Sequence, residues 1–380
     1  MKDETASQME SDHHPAPEGP SRRLSLKPAR TTAAGRRRRK RALIGVAILV
    51  CFYLVAIFAE FLAPYDYRAQ SRREPLAPPA TPRFRDAQGG WRWRPFIYAQ
   101  RMTDPLERRY VEQTDRAYPL ELFPRGYRYR LLGVFTCDRH LFGVRGDASG
   151  EAPRVSLLGT DALGRDRLSR LLVATRFSLV VGPVGALLAA ALGALLGGVA
   201  GYAGGKTDAL LMRAADVLMA LPTLVLILAA RAAFPLELPP VRAGLLLIGI
   251  FILLGWAEVA RLARGLVLEL RRREFALAAE SIGCSPARVL ARHILPNAAL
   301  PLIVQASLML PEFLLAETAL SFFGAGLQEP EPSWGNMLAA ASDITLFERE
   351  HALVLLAPAG AIIFFVLGVR LISDGLNQSR

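Results

Sequence analysis

"GALLAAALGALLGGVAGYAGG" occupies Gly185–Gly205. It carries no charge, and Gly185, Ala189, Gly193, Gly197, Gly201 and Gly205 recur at every fourth position. Four residues is slightly more than one helical turn, so these positions draw one smooth ridge along a helix. In lipid no water-driven force joins helices, and close backbone approach supplies the packing instead. The stretch therefore predicts a helix buried in a membrane bundle, spanning about Phe177–Tyr202, with Gly193, Gly197 and Gly201 as packing positions.

The rest of the chain supports this environment. Of its 380 residues 52% are hydrophobic, and the mean hydropathy is +0.26. The apolar residues are clustered, and a helical span needs about 20 of them to cross the hydrocarbon core. Further spans are predicted over about Ala42–Leu62, Ala209–Phe234, Ala243–Val259, Ala298–Phe322 and Ala352–Ile372. The expected fold class is an all-α integral membrane protein, a six-span helical bundle with a long loop between spans 1 and 2. The expected organisation is a basic disordered tail over 1–41, the first span over 42–62, an extracytoplasmic loop or cap over 63–173, and a five-helix core over 174–376. That core includes a cytoplasmic loop over 261–297.

The net charge is +12, concentrated in two places: residues 1–41 carry net +6 and residues 261–297 net +4. Basic segments beside spans hold them on the cytoplasmic side. This reading accounts for both clusters, "RRRRKR" (Arg36–Arg41) included, and excludes nucleic acid as a partner. An internal N-terminus followed by six spans also puts Arg261–Pro296 and the C-terminus inside, as expected for a multi-pass membrane protein. The apolar run after Arg41 is too long and too far from the start for a signal peptide. Residues 65–170 are polar but rich in aromatics, among them Trp91, Trp93, Phe96, Tyr98, Tyr127 and Tyr129. Disordered chains are poor in aromatics, so a compact cap with its own small core is expected.

"AGYAGGKTD" (Ala200–Asp208) imitates a phosphate-binding loop at Gly205-Lys206-Thr207. Ala200 replaces the first glycine, and a membrane span stands where a strand is needed. Lys206 instead marks the cytoplasmic end of span 2. The five histidines, His13, His14, His140, His293 and His351, form no zinc-binding pair, and Cys51, Cys137 and Cys284 lie in three environments, so neither a metal site nor a disulfide is read. Charges inside spans are functional candidates because they are costly in lipid. Arg213 and Asp216 sit three apart on span 3 and are placed to pair; Glu312 and Glu317 lie on span 5. These four are candidates for a solute path or gate, and the alternative is pairing within the bundle or snorkelling.

"AAESIGCSPARVLARHILPN" (Ala278–Asn297) is the most organised polar stretch. Phe275, Ala278, Ala279 and Ile282 fall on one helical face. Gly283 suits a left-handed helix end. Ser285 and Pro286 suit the start of a second short helix, expected to stop at Pro296. The small Ala278–Ala279 pair favours close approach of another protein over insertion into lipid headgroups.

Here the sequence resembles the membrane subunits of binding-protein-dependent ABC importers. Their cytoplasmic motif is E-A-A, three residues, Gly, nine residues, then I-x-L-P. It is matched by Leu277-Ala278-Ala279, Gly283 and His293-Ile294-Leu295-Pro296, with Leu277 and His293 departing from it. "RHILPN" is typical of the dipeptide/oligopeptide/nickel branch. So are "FLAPYD", "LLGTDALGRDRLSRLL" (Leu157–Leu172), "GYAGGKTD", "AETALSFFGAGLQEPEPSWGNML" (Ala316–Leu338) and "SDGLN", all typical of its second permease subunit. The loop from Tyr67 to His140 is longer than usual in that branch. The resemblance implies a type I ABC importer permease that passes peptides, or alternatively nickel chelates or peptide-like antibiotics. Its partners would be a second homologous permease, two ATPase subunits and an extracytoplasmic solute-binding protein. ATP and Mg would bind the ATPases and not this chain, which would not be an enzyme. Ala278, Ala279, Gly283, His293, Leu295 and Pro296 would form the ATPase-coupling motif. The competing readings are a membrane-embedded enzyme using Glu312 and Glu317, and a passive channel.

Overall fold

The computed structural model describes residues 33–131, 133–144, 153–342 and 355–377. Most of the expected tail, and the start of the sixth expected span, lie outside them. Helix α1 (Ala33–Ile57) takes in the whole basic run Arg36–Arg41, so it starts ahead of the expected span boundary. Arg, Lys and Ala are strong helix formers, and the run has no breaker. A short helix, α2 (Ala59–Leu62), follows.

The packing helix, α3, is longer than the expected span. It covers Arg167–Ala203, 37 residues, or about 55 Å at 1.5 Å per residue. It lies alongside α6 (Pro240–Leu270). A Cβ added to Gly193, Gly197 or Gly201 would sit 2.4, 2.0 or 2.8 Å from the carbonyl oxygens of Trp256, Ala260 and Arg264. Those carbonyls are also four residues apart, so ridge meets ridge along the two helices. Phe251, Leu247, Ala189 and Phe313 fill the apolar core beside the contact.

The expected third span is two helices, α4 (Gly205–Met219) and α5 (Thr223–Ala232), bent by 89°. Pro222 explains the break: it has no N–H to donate and disfavours helical geometry at Leu221. After α6 come α7 (Glu274–Ser281) and α8 (Pro286–Phe322). The second short helix does not stop at Pro296. It runs into the span as one rod through a π turn at Val289–Ile294. In a regular α-helix the Pro296 ring would press on the Arg292 carbonyl and leave it without a donor. The wider turn resets the ladder just before the proline.

Helix α9 (Trp334–Ala341) is capped by Ser333, whose hydroxyl accepts from the Asn336 N–H while the Asn336 side chain accepts from the Ser333 N–H. Trp334 is fully buried beneath α1 and α3. Helix α10 (Ala357–Asn377) runs antiparallel to α1, with Gly45 against the Gly368 carbonyl and Gly375 against Ala42. Among the described residues five helices are long and apolar enough to cross a membrane, six with the bent α4–α5 pair counted as one span.

The loop between spans 1 and 2 is β-structured, which composition alone had not specified. Strands β1 (Arg83–Arg85), β2 (Trp91–Asp104), β3 (Arg109–Leu122) and β6 (Phe142–Val144) form an antiparallel sheet in the order β1-β2-β3-β6. Strands β4 (Arg125–Leu131) and β5 (Phe135–Arg139) form a separate hairpin. Ile97, Ala80 and Val155 make the small core of this cap.

Polar contacts tie the cap to one end of the bundle. His140 is buried, its ring nitrogens 3.0 Å from the Glu60 carbonyl and 3.1 Å from that of Tyr127. The Arg176 guanidinium donates to both Glu60 carboxylate oxygens, at 2.5 and 2.6 Å. Tyr67 and Arg68 donate to Glu331. Arg165 and Arg170 both grip Glu329, at 2.6 and 2.8 Å. Asp166 caps α3, accepting from the Ser169 N–H at 2.7 Å and its hydroxyl at 2.6 Å. Burial pushes the Asp166 carboxyl above the usual carboxylate range, and the Ser169 hydrogen bonds oppose this. The belt joins stretches far apart in sequence, near residues 60–68, 127–140, 165–176 and 329–331.

Candidate functional site

The segment from Arg271 to Pro296 lies at the end of the bundle opposite the cap, since α3 reaches it only at its last turn. There the Arg271 guanidinium donates to the Tyr202 carbonyl at 3.1 Å and the Tyr202 hydroxyl donates to Glu280 at 2.8 Å. Helix α7 closes with a left-handed residue, Gly283, at φ +82°. The Cys284 N–H donates to the Ala279 carbonyl at 3.1 Å and the Gly283 N–H to that of Glu280 at 2.9 Å. These two bonds satisfy carbonyls that the helix end would otherwise leave open. Ser285 stands at the next N-terminus, but its side chain makes no capping bond there, with Pro286 filling the first helical position.

The expected apolar face divides in two. Ala279 is buried, not with Ala278 but with Ala276, against Val267, Val289 and Ile294. Phe275, Ala278 and Ile282 are exposed, and so is Leu277. The two alanines three apart let α8 approach, and the turn at Gly283 swings Ile282 outward to 82% exposure. The result is an apolar knuckle of Leu277, Ala278 and Ile282, with the exposed polar residues Arg273, Glu280 and Ser281 beside it in the chain. A contiguous apolar patch with a polar rim marks an interaction site. His293, Leu295 and Pro296 lie behind it on α8, where the Asn297 amide donates to the His293 carbonyl at 2.6 Å.

The four intramembrane charges do not form one cluster. Arg213 does not pair with Asp216; Asp216 is held by Arg261 from α6. The helical spacing permits the local pair, yet the neighbouring helix brings a guanidinium to the same carboxylate. Glu312 and Glu317 also face apart, as five residues turn a helix through about 140°. Glu317 is fully buried and accepts from Ser321 at 2.8 Å. Glu312 lines a small cavity at the α4–α5 break with Leu218, Thr223, Met309 and Glu258. Glu258, on α6, receives the Gln305 amide at 3.4 Å. Sequence reasoning missed Glu258, although it is a lone acid inside a predicted span. It also missed Arg231, buried at the end of α5, whose guanidinium donates to the carbonyls of Phe234, Pro235 and Leu236 at 3.0–3.2 Å.

Residues 193–379 match the family model described as "Binding-protein-dependent transport system inner membrane component", and residues 37–79 match "N-terminal TM domain of oligopeptide transport permease C". The oligopeptide transport system permease protein OppC of Bacillus subtilis is 35% identical over 221 residues, covering 58% of this chain and 70% of the relative. The chain belongs to the binding-protein-dependent transport permeases. A dipeptide transport system permease protein, DppC of Bacillus subtilis, is 35% identical over 58% of this chain and 67% of its own length. OppC of Mycobacterium bovis is 35% identical over 58% and 74% respectively. This permease is thus a multi-pass inner-membrane subunit of an ABC transporter, mostly helical, and relatives of its kind are not themselves enzymes.

Proposed function

We propose that this permease is the second-type membrane subunit of an ATP-driven importer of peptides or similar small solutes, and that its α7 knuckle is where it couples to an ATPase. The carrying observation is the exposed Leu277, Ala278 and Ile282 around a tightly bonded turn at Gly283, at the end of the bundle remote from the cap. The knuckle is rigid because its reverse side packs on α6 and α8, so a partner that moves it moves the helices. Import by this route requires that the partner contact the two bundle states differently, since equal contact shifts nothing. In this reading the arginine-rich end is cytoplasmic with both termini, and the cap roofs the pathway outside, under a solute-binding protein. A second homologous permease completes the path, two ATPase subunits hold the ATP and Mg, and Glu258 and Glu312 line the path. The separation of Glu312 from Glu317 disfavours a membrane enzyme built on that pair.

The test is purification of the assembled complex through a tag on this chain. The expected companions are a second permease and two ATPase subunits, with stimulation of ATP hydrolysis by a peptide-loaded binding protein. Recovery of this chain alone, with solute flux that needs no ATP, would establish the passive channel instead. A chelated metal in place of peptide in the binding protein would move the substrate to the nickel side of the branch.

A further inference from the structure

The apolar core of the cap runs out into the open at one end. Leu120, Phe142 and Leu157 pack against the buried Ala80, Ile97 and Val155, and the same three side chains line an open groove of about 530 Å³. Trp93, Leu122, Pro82 and Pro95 complete its apolar lining, with Arg94 and Glu121 among its walls. Trp93 is 91% exposed and Leu122 74%. Next to them Phe84 and Trp91, both exposed as well, stack at 5.7 Å. A contiguous exposed patch of this kind marks a contact surface. The chain on either side of residues 145–152 lies toward the other end of the sheet: Val144 pairs with Leu120, and Val155 packs on Ile97, the partner of Tyr118.

The groove lies beside the end of the first span. The Leu141 N–H donates to the Phe61 carbonyl at 2.8 Å, and the Phe123 N–H to the Leu141 carbonyl at 3.1 Å. The rings of Phe61 and Phe123 stack at 6.2 Å. One residue further along each strand, Phe142 and Leu122 are paired and line the groove. Phe61 belongs to α2, just past the apolar window Lys40–Ile57 of α1, of which only 11% is buried. Leu54, Ile57 and Phe58 are exposed at that end of α1. An exposed apolar track therefore runs from the first span, through the Phe61–Phe123 stack, to Leu122 and Trp93. Leu157 belongs to the stretch that leads into α3, where Thr160 bridges to the capping Asp166. The groove is thus at the base of the cap, where it meets the bundle.

We propose that the base of the cap rests in the membrane interface, with Trp93 and Leu122 immersed among phospholipid headgroups and the first carbons of their chains. Tryptophan suits that layer because it joins a large apolar ring to one N–H donor. Arg83 is held by Glu112 at 2.8 Å and Arg92 lies 3.7 Å from Asp86, while Arg85 and Arg94 stand exposed beside the patch. Exposed arginines there cover apolar surface with their stems and present guanidinium groups to lipid phosphates. Continuity with α1 selects lipid as the occupant. A soluble partner cannot follow the track onto a membrane span, whereas lipid wets both ends of it. The contact requires only that α1 be a span, and it holds whichever solute is carried.

The experiment is tryptophan fluorescence of the purified complex in vesicles of phosphatidylethanolamine and phosphatidylglycerol. Part of the lipid is brominated either near the carbonyl end of its chains or near their tips, and iodide serves as the quencher from water. The emission of Trp91 and Trp93 is the difference between wild type and the double variant Trp91→Phe, Trp93→Phe. Trp256 and Trp334, buried in the bundle, cancel in that difference. The difference emission should lose most of its intensity to bromine near the carbonyls, less to bromine at the chain tips, and little to iodide. Leu122→Asp should reduce the loss to bromolipid while leaving the emission in detergent as in wild type. Stronger quenching by iodide than by the carbonyl-end bromolipid would overturn the proposal. Relief of that iodide quenching by added solute-binding protein would make the patch a protein-docking face instead. If the double variant fails to assemble, Trp93→Phe alone gives the share of Trp93 and decides in the same way.

Discussion

The backbone of α3 at Gly197 touches the backbone of α6 at Ala260: a Cβ at Gly197 would lie 2.0 Å from the Ala260 oxygen and 2.7 Å from its carbonyl carbon. Neither atom can yield without parting the helices. Gly197→Ala should therefore destabilise the bundle by about 1–3 kcal/mol, the usual cost of overpacking. Gly265 on α6 has nothing within 4 Å of an added Cβ, so Gly265→Ala should be neutral or stabilising by about 0.5–1 kcal/mol. Thermal unfolding in detergent compares the two, and equal shifts would refute the ridge contact.

Asp166 ties stability to pH. Its carboxyl is raised by burial, so its contribution is greatest below the unfolded carboxylate value, near 3.9. That contribution is lost as pH rises through the folded value. Asp166→Asn, which keeps a capping oxygen, should remove this term. As pH falls from neutral to the unfolded carboxylate value, near 3.9, the wild type should gain stability relative to Asp166→Asn. A difference that stays constant across that range would show the carboxyl to be unperturbed.

The cap should detach before the bundle fails. His140 bridges the carbonyls of Glu60 and Tyr127, and the Leu141 N–H donates to the Phe61 carbonyl at 2.8 Å. A neutral imidazole carries one N–H, so His140→Ala leaves at least one of the two carbonyls without a donor, at about 1–3 kcal/mol if it stays dry. Limited proteolysis should then cut within residues 83–144 while α3–α10 remain protected. Simultaneous loss of both regions would mean that the cap is integral to the bundle.

The parts that were legible in the sequence had local causes. The four-residue glycine rhythm needed only helix geometry to point to α3, and the spacing from Ala279 to Gly283 foretold the left-handed turn. The break at Pro222 was also written locally but was hidden by the apolar run around it. The strands of the cap alternate too irregularly to be read, with Pro95 and Pro119 inside them and register shifts at Tyr98/Ala99. Partnerships such as Arg165–Glu329, 164 residues apart, depend on the assembled fold. So does the switch of Asp216 from Arg213 to Arg261. The face of α7 that is buried was misread because its two turns are too short for periodicity to choose between Ala278 and Ala276.

Leu277 stands where the family motif has an acid, and it is half exposed on the knuckle. Because the knuckle docks by apolar contact in this reading, Leu277→Glu should lower ATPase affinity by about tenfold or more, since it would bury a carboxylate without a partner. Ile282→Ser, at the most exposed apolar position of the turn, should weaken association about tenfold, the order expected for losing a buried isoleucine contact. Pull-down of the ATPase subunits by tagged variants measures both. An Ile282→Ser complex that assembles like wild type would place the contact elsewhere.

The most direct measurement of the central claim is ATP-driven uptake of labelled peptide by the reconstituted complex carrying Gly283→Asp. The residue at 283 must hold φ near +82° in the turn that presents the knuckle, and an aspartate there adds both strain and charge. The account predicts normal membrane insertion and loss of uptake. Uptake at the wild-type rate, still dependent on ATP, would contradict it.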